Sequence, residues 1–410
     1  MKKRIKIRSI SYSAGQTVLM AIAAFTAVAG IVFPIAANAE EITYTTADGV
    51  KWIYNTNNDG ENTVTFSKLD SGDVPQVPTS EIPWVFTKDG VSYTVTRITS
   101  NACNGNTALT GPLALPDSVI YLFENTNEGA FEGCSGVTGT PKFGSGITRI
   151  PYRFLRNTGI TGGLVVPENI TLVRYRAFGG TKIASALIKG PPTAESGDQV
   201  YTAIQLRYIF NMPSLELLVM GPNTKVDTTQ SYDHGFHNHD QIVLYPDYPD
   251  NKTWAETFAS VKYLPLLKAI PYGPGLDLDI AIDGNVLTAT PTTEAMLANV
   301  LTWAPRFKND FDMDTKVCIT NPIPVAEGLV TADLLKKAEF GSLMFKVTSQ
   351  KQLDDVLAAT ASVSVPIGID PDVADKHEML SLPADRKVWV LLSGNGKYIP
   401  KVNGLVITFQ

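Results

Sequence analysis

The feature that most constrains this chain is an internal repeat. In Gly129-Ala130-Phe131-Glu132-Gly133-Cys134-Ser135-Gly136-Val137 an aromatic residue stands six positions before an aliphatic one. The pair recurs as Phe154 with Ile160 and as Phe236 with Ile242, and one residue tighter as Phe178 with Ile183 and Phe210 with Leu215. An earlier copy places Cys103 and Leu109 in the two slots. The first slot therefore reads Cys103, Phe131, Phe154, Phe178, Phe210 and Phe236, at steps of 28, 23, 24, 32 and 26 residues. After the aliphatic slot comes a short apolar stretch, often closed by proline. Examples are Leu113-Ala114-Leu115-Pro116, Leu164-Val165-Val166-Pro167 and Val243-Leu244-Tyr245-Pro246. Leu187-Ile188 and Leu217-Leu218-Val219-Met220 fill the same place, and Thr140-Pro141-Lys142-Phe143 is the poorest copy. These read as short strands, since proline and glycine stop a strand. A second aliphatic (Ile98, Ile150, Val173) precedes several of the slots.

One such unit cannot bury its own apolar face, whereas a stack of units can. About six stacked turns predict a solenoid over 97–270, with a parallel strand ladder and the slot residues lined up inside it. The unequal steps imply loops inserted on one face, and the polar stretch 191–199 is the longest. Cys103 and Cys134 then occupy packing positions, where a free cysteine behaves as a small hydrophobe.

Ala-Phe-x-Gly-Cys-Ser, followed by an aliphatic and then Leu-x-x-Pro, resembles the BspA-type leucine-rich repeat of bacterial surface proteins. The opening region, from Asp48-Gly49-Val50 to Tyr54 and then Gly90-Val91-Ser92-Tyr93-Thr94-Val95, is similar to that family's entry segment. Leu244-Tyr245-Pro246 followed by Thr253-Trp254-Ala255-Glu256-Thr257-Phe258 is similar to its last turn and capping helix. The resemblance covers roughly residues 44–268. It implies an exported or surface location and a role in binding or adhesion, and it implies no catalytic residues.

The ends divide the remainder. Lys2, Lys3, Arg4, Lys6 and Arg8 precede an uncharged, mostly apolar run over 17–37, which closes in Ala37-Asn38-Ala39 before Glu40. That order is a secretory signal peptide over 1–39, with an uncleaved membrane anchor as the other reading, because the run is long enough to span a bilayer. No second apolar run of that length follows, so the mature chain is expected to hold no transmembrane segment. Residues 40–96 read as a β-rich cap, with Thr63-Val64-Thr65-Phe66 alternating. Ala269-Ile270-Pro271-Tyr272-Gly273-Pro274-Gly275 reads as a linker. Beyond it, 271–410 reads as a separate α+β domain: helices over 292–303, 332–339 and 353–359, and strands over 276–282, 387–392 and 405–409. Gly394-Asn395-Gly396-Lys397 lacks phosphate-loop spacing and reads as a hairpin turn.

Losing the five N-terminal basic residues takes the net charge from −6 to −11. So acidic a chain argues against nucleic acid as partner. Within it, Lys142, Arg149, Arg153, Arg156, Arg174, Arg176, Lys182 and Lys189 are opposed in sequence by Glu168 alone. With a one-residue slip against the Phe slot, Tyr152-Arg153 stacks beneath Tyr175-Arg176. This puts Tyr152, Arg153, Tyr175 and Arg176, with Arg149 and Arg156, on one solvent-facing surface suited to stacking on sugars or gripping anionic groups. The alternative is an ordinary solvated face.

His234, His237 and His239, between Asp233 and Asp240, have the residue types of a Zn or Cu site. However, residues 235–242 overlay 130–137 without a gap, which makes them a repeat loop. We therefore expect no metal and no cofactor. Neither a nucleophile–base pair nor a metalloprotease or phosphate-loop motif is present, so a binding protein is expected rather than an enzyme. Its partner is a protein or a glycan at the cell surface, an anionic one included. The other reading is a structural or assembly component of the envelope acting through its C-terminal domain.

Overall fold

The computed structural model describes residues 39–191, 201–204, 212–227, 241–259 and 267–318, residue 358, and the strands Ile323–Pro324, Glu339–Lys346, Ile367–Ile369, Val388–Leu392 and Lys397–Pro400. The signal-like segment 1–38, Phe210, Phe236, the three histidines, the polar stretch 192–199, the helices expected over 332–339 (Glu339 apart, which opens a strand) and 353–359 (residue 358 apart) and the strand expected over 405–409 lie outside the described residues.

The N-terminal region is a sheet in which Glu41–Thr45, Lys51–Thr56 and Thr63–Asp70 pair antiparallel in sequence order. Val91–Ile98 then runs parallel to Thr63–Asp70, with Val85–Lys88 antiparallel on its far side. Alternation places Trp52, Tyr54, Val64, Phe66, Val95 and Ile98 inside, all buried. Val91–Ile98 also pairs in parallel with Tyr121–Leu122, so the cap continues into the repeat without a break at residue 96.

Two parallel ladders make up the repeat. The first joins Thr161–Val166, Lys182–Ile188, Leu217–Met220, Gln241–Pro246 and Leu267–Tyr272, each beside the next. The second joins Arg149–Ile150, Leu172–Val173, Thr202–Ile204 and Thr224–Val226. In the earliest turns the first ladder shrinks to single bridges, Gly111 with Val137 and Ala114 with Lys142. The strands expected at 113–116 and 140–143 are absent because Pro112, Pro116 and Pro141 offer no N–H to a ladder. The expected linker is corrected as well: residues 269–272 belong to Leu267–Tyr272, the edge rung of the first ladder, where a strand tolerates Pro271.

Backbone bonds between turns fix the register. The amides of Cys103, Phe131 and Leu155 donate to the carbonyls of Ala130, Phe154 and Ala177 at 2.7, 3.1 and 2.8 Å. In a parallel ladder this aligns Cys103, Phe131, Leu155 and Phe178. Phe154 therefore lies one residue ahead of the column, which corrects the sequence register. Both Phe154 and Leu155 are buried, and the Phe154 ring meets Phe131 edge-on at 5.5 Å. Two positions on, Gly105, Gly133, Asn157 and Gly180 all have left-handed φ, between 56° and 78°. That turn explains the glycine of the motif, with asparagine the usual substitute.

One contiguous cluster of buried side chains runs from Ile42 to Ala255. Leu187, Leu217, Val219 and Leu244 are buried but stand outside it, on the opposite face of the first ladder. The C-terminal region covers that face. After helix α1 (Pro249–Ala259), helix α2 (Glu294–Phe311) lies against Thr161–Val166 and Lys182–Ile188. α2 begins at an N-cap, Thr293, whose side chain accepts from Met296 N at 3.3 Å. It runs eight residues beyond the expected end at Trp303, straight through Pro305. A mid-helix proline costs about 3 kcal/mol. Burial of Phe307 and Phe311, one turn apart and stacked at 6.3 Å, offsets it.

Arg306 clasps the two regions together. Its guanidinium donates to Ala184 O at 3.1 Å and Ser185 Oγ at 2.5 Å, and pairs with Glu216 at 3.1 Å and Asp310 at 3.3 Å. Ser185 Oγ donates in turn to Asp310 at 2.5 Å. Gly163 permits the closest approach, since a Cβ built there would fall 1.8 Å from Asp310 O. Behind α2 stands a mixed sheet of eight strands, from Leu278–Asp283 to Lys397–Pro400. Val388–Leu392 and Lys397–Pro400 pair antiparallel as a hairpin.

Candidate functional site

The two ladders present different outer faces. On the first, Ser185, Leu187, Leu217, Val219 and Leu244 are all buried beneath or beside the C-terminal region. On the second, and on Val91–Ile98 and Tyr121–Leu122 that precede it, the inward residues Ile98, Leu122, Ile150, Val173, Ile204 and Val226 are buried. Their outward neighbours Arg97, Tyr121, Arg149, Leu172, Ala203 and Lys225 are half-buried. The half-open face of this fold is thus the second one, and it is basic and aromatic.

Its centre is built by the turns that follow Arg149–Ile150 and Leu172–Val173. The Arg153 amide donates to Tyr175 O at 3.3 Å, which stacks Tyr152 on Tyr175 and Arg153 on Arg176 in register. The tyrosine rings meet edge-on at 5.8 Å. The Arg174 guanidinium lies 4.7 Å from the Tyr152 ring centre, and that of Arg176 lies 4.9 Å from Tyr175. Such contacts hold a cation over a ring face and keep both in place. Arg153 and Arg176 adopt left-handed φ of 52° and 55°, a conformation costing roughly 1–2 kcal/mol for a residue with a Cβ.

The expectation that Glu168 alone opposes these arginines is corrected. Glu168 is exposed and takes no part in their pairing. Glu124 instead holds Arg149 and, at 2.6 Å, Arg174, while Glu132 holds Arg156 at 2.5 Å. These partners lie 24 to 50 residues away in sequence. Stacking a turn brings each acid beneath its arginine. Arg153 donates to the Asn127 carbonyl. The expected fully solvent-facing strip is therefore half-buried and partly neutralised. Further along the same face, the Lys225 ammonium lies 3.9 Å from the Tyr201 ring centre and 5.7 Å from that of Tyr248.

The cysteines are packing residues in this geometry. Cys103 and Cys134 are buried, and the Cys134 thiol donates to Cys103 O at 2.9 Å. Burial pushes the Cys134 thiol up to about 12, and Cys103 well above its ordinary value, so both stay protonated and inert. Among the described residues no group of histidine, cysteine and carboxylate side chains could hold a metal, and no helix is long and apolar enough to cross a membrane.

One further site was not anticipated from the sequence: a polar cleft of about 780 Å³ where the N-terminal sheet meets the first turns, with Phe123 at its lip and Glu124 on its wall. The signal was the half-buried Tyr121 and exposed Phe123 flanking a buried Leu122, which marks an aromatic outside a core strand.

No family model matches the chain, and no curated protein matches it. Among solved structures, the chain is similar to a leucine rich cell surface protein from Faecalibacterium prausnitzii A2-165. The identity is 14%, 82% of this chain and 91% of that chain are covered, and the TM-score is 0.26.

Proposed function

We propose that this chain is an exported leucine-rich-repeat protein of the BspA kind, a stack of turns that binds a protein or glycan partner at the cell surface and does no catalysis. The division is a signal peptide over 1–39, a β-rich cap, a solenoid and a C-terminal domain that covers one ladder. The basic, apolar and small-residue order of residues 1–39 supports export. The observation that carries the binding role is the contrast between the ladders: the outer face of one is buried, with α2 over its first two rungs, and the other carries the tiers of Tyr152 and Tyr175 with Arg174 and Arg176 over their rings. Tyrosine and arginine in rigid, half-exposed positions are favoured binding groups. Such a surface suits a sulfated or carboxylated partner.

The test is a double reversal, Arg153→Glu with Arg176→Glu. Arg153 donates to the Asn127 carbonyl and Arg176 lies over the Tyr175 ring, so circular dichroism is used to check that the variant keeps the fold. Binding to arrayed sulfated and uronic-acid oligosaccharides is measured in 50 and 500 mM salt. We expect binding that weakens with salt and falls at least tenfold in the variant. Unchanged binding in a variant with native circular dichroism, or no binding by the parent chain, refutes the assignment.

A further inference from the structure

The polar cleft at the junction of cap and repeat is chemically unlike the Tyr–Arg tiers and shares only Glu124 with them. Three segments, with Ala39 and Thr65, form it. The end of strand Lys51–Thr56 supplies Asn55 and Thr56, the turn after Val91–Ile98 supplies Ser100 and Asn101, and the chain leaving Tyr121–Leu122 supplies Phe123. Its volume, about 780 Å³, lies within the range of roughly 300–1,000 Å³ usual for small-molecule sites.

The deeper lining is already committed. Asn57, 6% exposed, donates to Thr63 at 2.7 Å and Thr96 at 2.9 Å, and its carbonyl accepts from Thr65 at 2.6 Å. Thr99 donates to Ser67 O at 2.9 Å. These bonds make a rigid floor. Nearer the mouth, the side chains of Asn55, Ser100 and Asn101 have no hydrogen-bond partner among the described residues. They are amides and a hydroxyl, groups that both donate and accept. The two charged residues on the wall are already engaged: Glu124 is held by Arg149 and Arg174, and the charge of Arg97 acts on Asp59. Phe123 projects at the lip, 41% exposed. Its amide is fixed to Ile98 O at 2.9 Å and its ring is braced edge-on by Tyr121 at 5.0 Å.

From this geometry we infer that the cleft is a binding site for a neutral oligosaccharide. A sugar hydroxyl donates and accepts, as the free amides and hydroxyl require, and it brings no charge, which suits a wall whose charged groups are already engaged. The apolar face of a pyranose ring can lie on Phe123. A peptide is the competing class, and the cleft offers its side chains one aromatic residue, Phe123, and one aliphatic, Ala39, among polar residues. The site does not depend on the binding role of the tiers, and its ligand carries the opposite signature, an affinity indifferent to salt.

The probes are maltotriose, cellotriose, chitotriose and mannotriose, titrated calorimetrically into the full chain, with an alternating Thr/Val hexapeptide as the competing class. The expected result is saturable binding of at least one trisaccharide, unchanged between 50 and 500 mM salt. It weakens at least tenfold in Phe123→Ala and in Asn101→Ala and is unaltered by the Arg153→Glu, Arg176→Glu pair. Both cleft positions are exposed, so these variants are expected to fold, and circular dichroism checks that. Binding of no trisaccharide, binding of the hexapeptide alone, or trisaccharide binding indifferent to both cleft variants overturns the inference. Because the tiers are read with acidic oligosaccharides and the cleft with neutral ones, either assignment can fail without the other.

Discussion

Truncating Phe154 to alanine probes the repeat at its most constrained point. The ring is fully buried and meets Phe131 edge-on at 5.5 Å. A buried aromatic ring removes roughly 150–250 Å² from water, worth about 4–6 kcal/mol at ~25 cal/mol per Å². The alanine methyl retains part of that, and the neighbouring turns relax partly into the cavity, which brings the cost to about 3–5 kcal/mol. Leu155, the residue that the backbone bonds place in the column, is expected to cost about 2–5 kcal/mol on the same change. The control is Phe123→Ala at the cleft lip, 41% exposed, which should cost clearly less, about 1–2 kcal/mol. Urea unfolding of the full chain, followed by circular dichroism, reads all three. A single hydrophobic cluster spans cap and ladders, so one main transition is expected for that part of the chain. A cost below about 1 kcal/mol for Phe154→Ala would place the ring at the surface and refute the stacking register.

Three other perturbations test separate parts of the structure. Glu124→Gln leaves Arg149 and Arg174 facing a neutral amide and is expected to cost about 1–3 kcal/mol in the same urea assay, a range lowered by their partial exposure; no loss would show the two pairs to be incidental. The Cys134 thiol is raised from about 9 to about 12 in the fold, so its contribution is complete below pH 9 and is lost as pH climbs toward 12. Over that window Cys134→Ala should flatten the alkaline decline of stability by up to about 1.4 kcal/mol per pH unit relative to the parent, and parallel declines would contradict the burial argument. Pro305→Ala restores an amide to α2 and is expected to raise stability by roughly 1–3 kcal/mol, while a loss would mean that the proline ring itself is needed against the ladder.

Much of the repeat was legible because a stacked turn is a local object. The spacing of Phe131 to Val137, the glycine at 133 and the aliphatic residues Ile150 and Val173 each state a requirement met within one turn and repeated in the next. What the sequence left open was contact between turns. Phe154 and Leu155 are adjacent, apolar and both suited to the core, so periodicity could not choose between them; the hydrogen bond from Leu155 N to Ala177 O does. The basic run over 142–192 looked unopposed because its acids lie outside that window, at Glu124 and Glu132, and only stacking brings them beneath Arg149, Arg156 and Arg174. The strand Leu217–Met220 is apolar at every position, as a strand buried on both faces must be. The sequence thus recorded that something covers the first ladder. Only the tertiary structure decided that α2, carried through Pro305 by the burial of Phe307 and Phe311, lies over the first two rungs of that ladder, and that the second ladder keeps the half-open face.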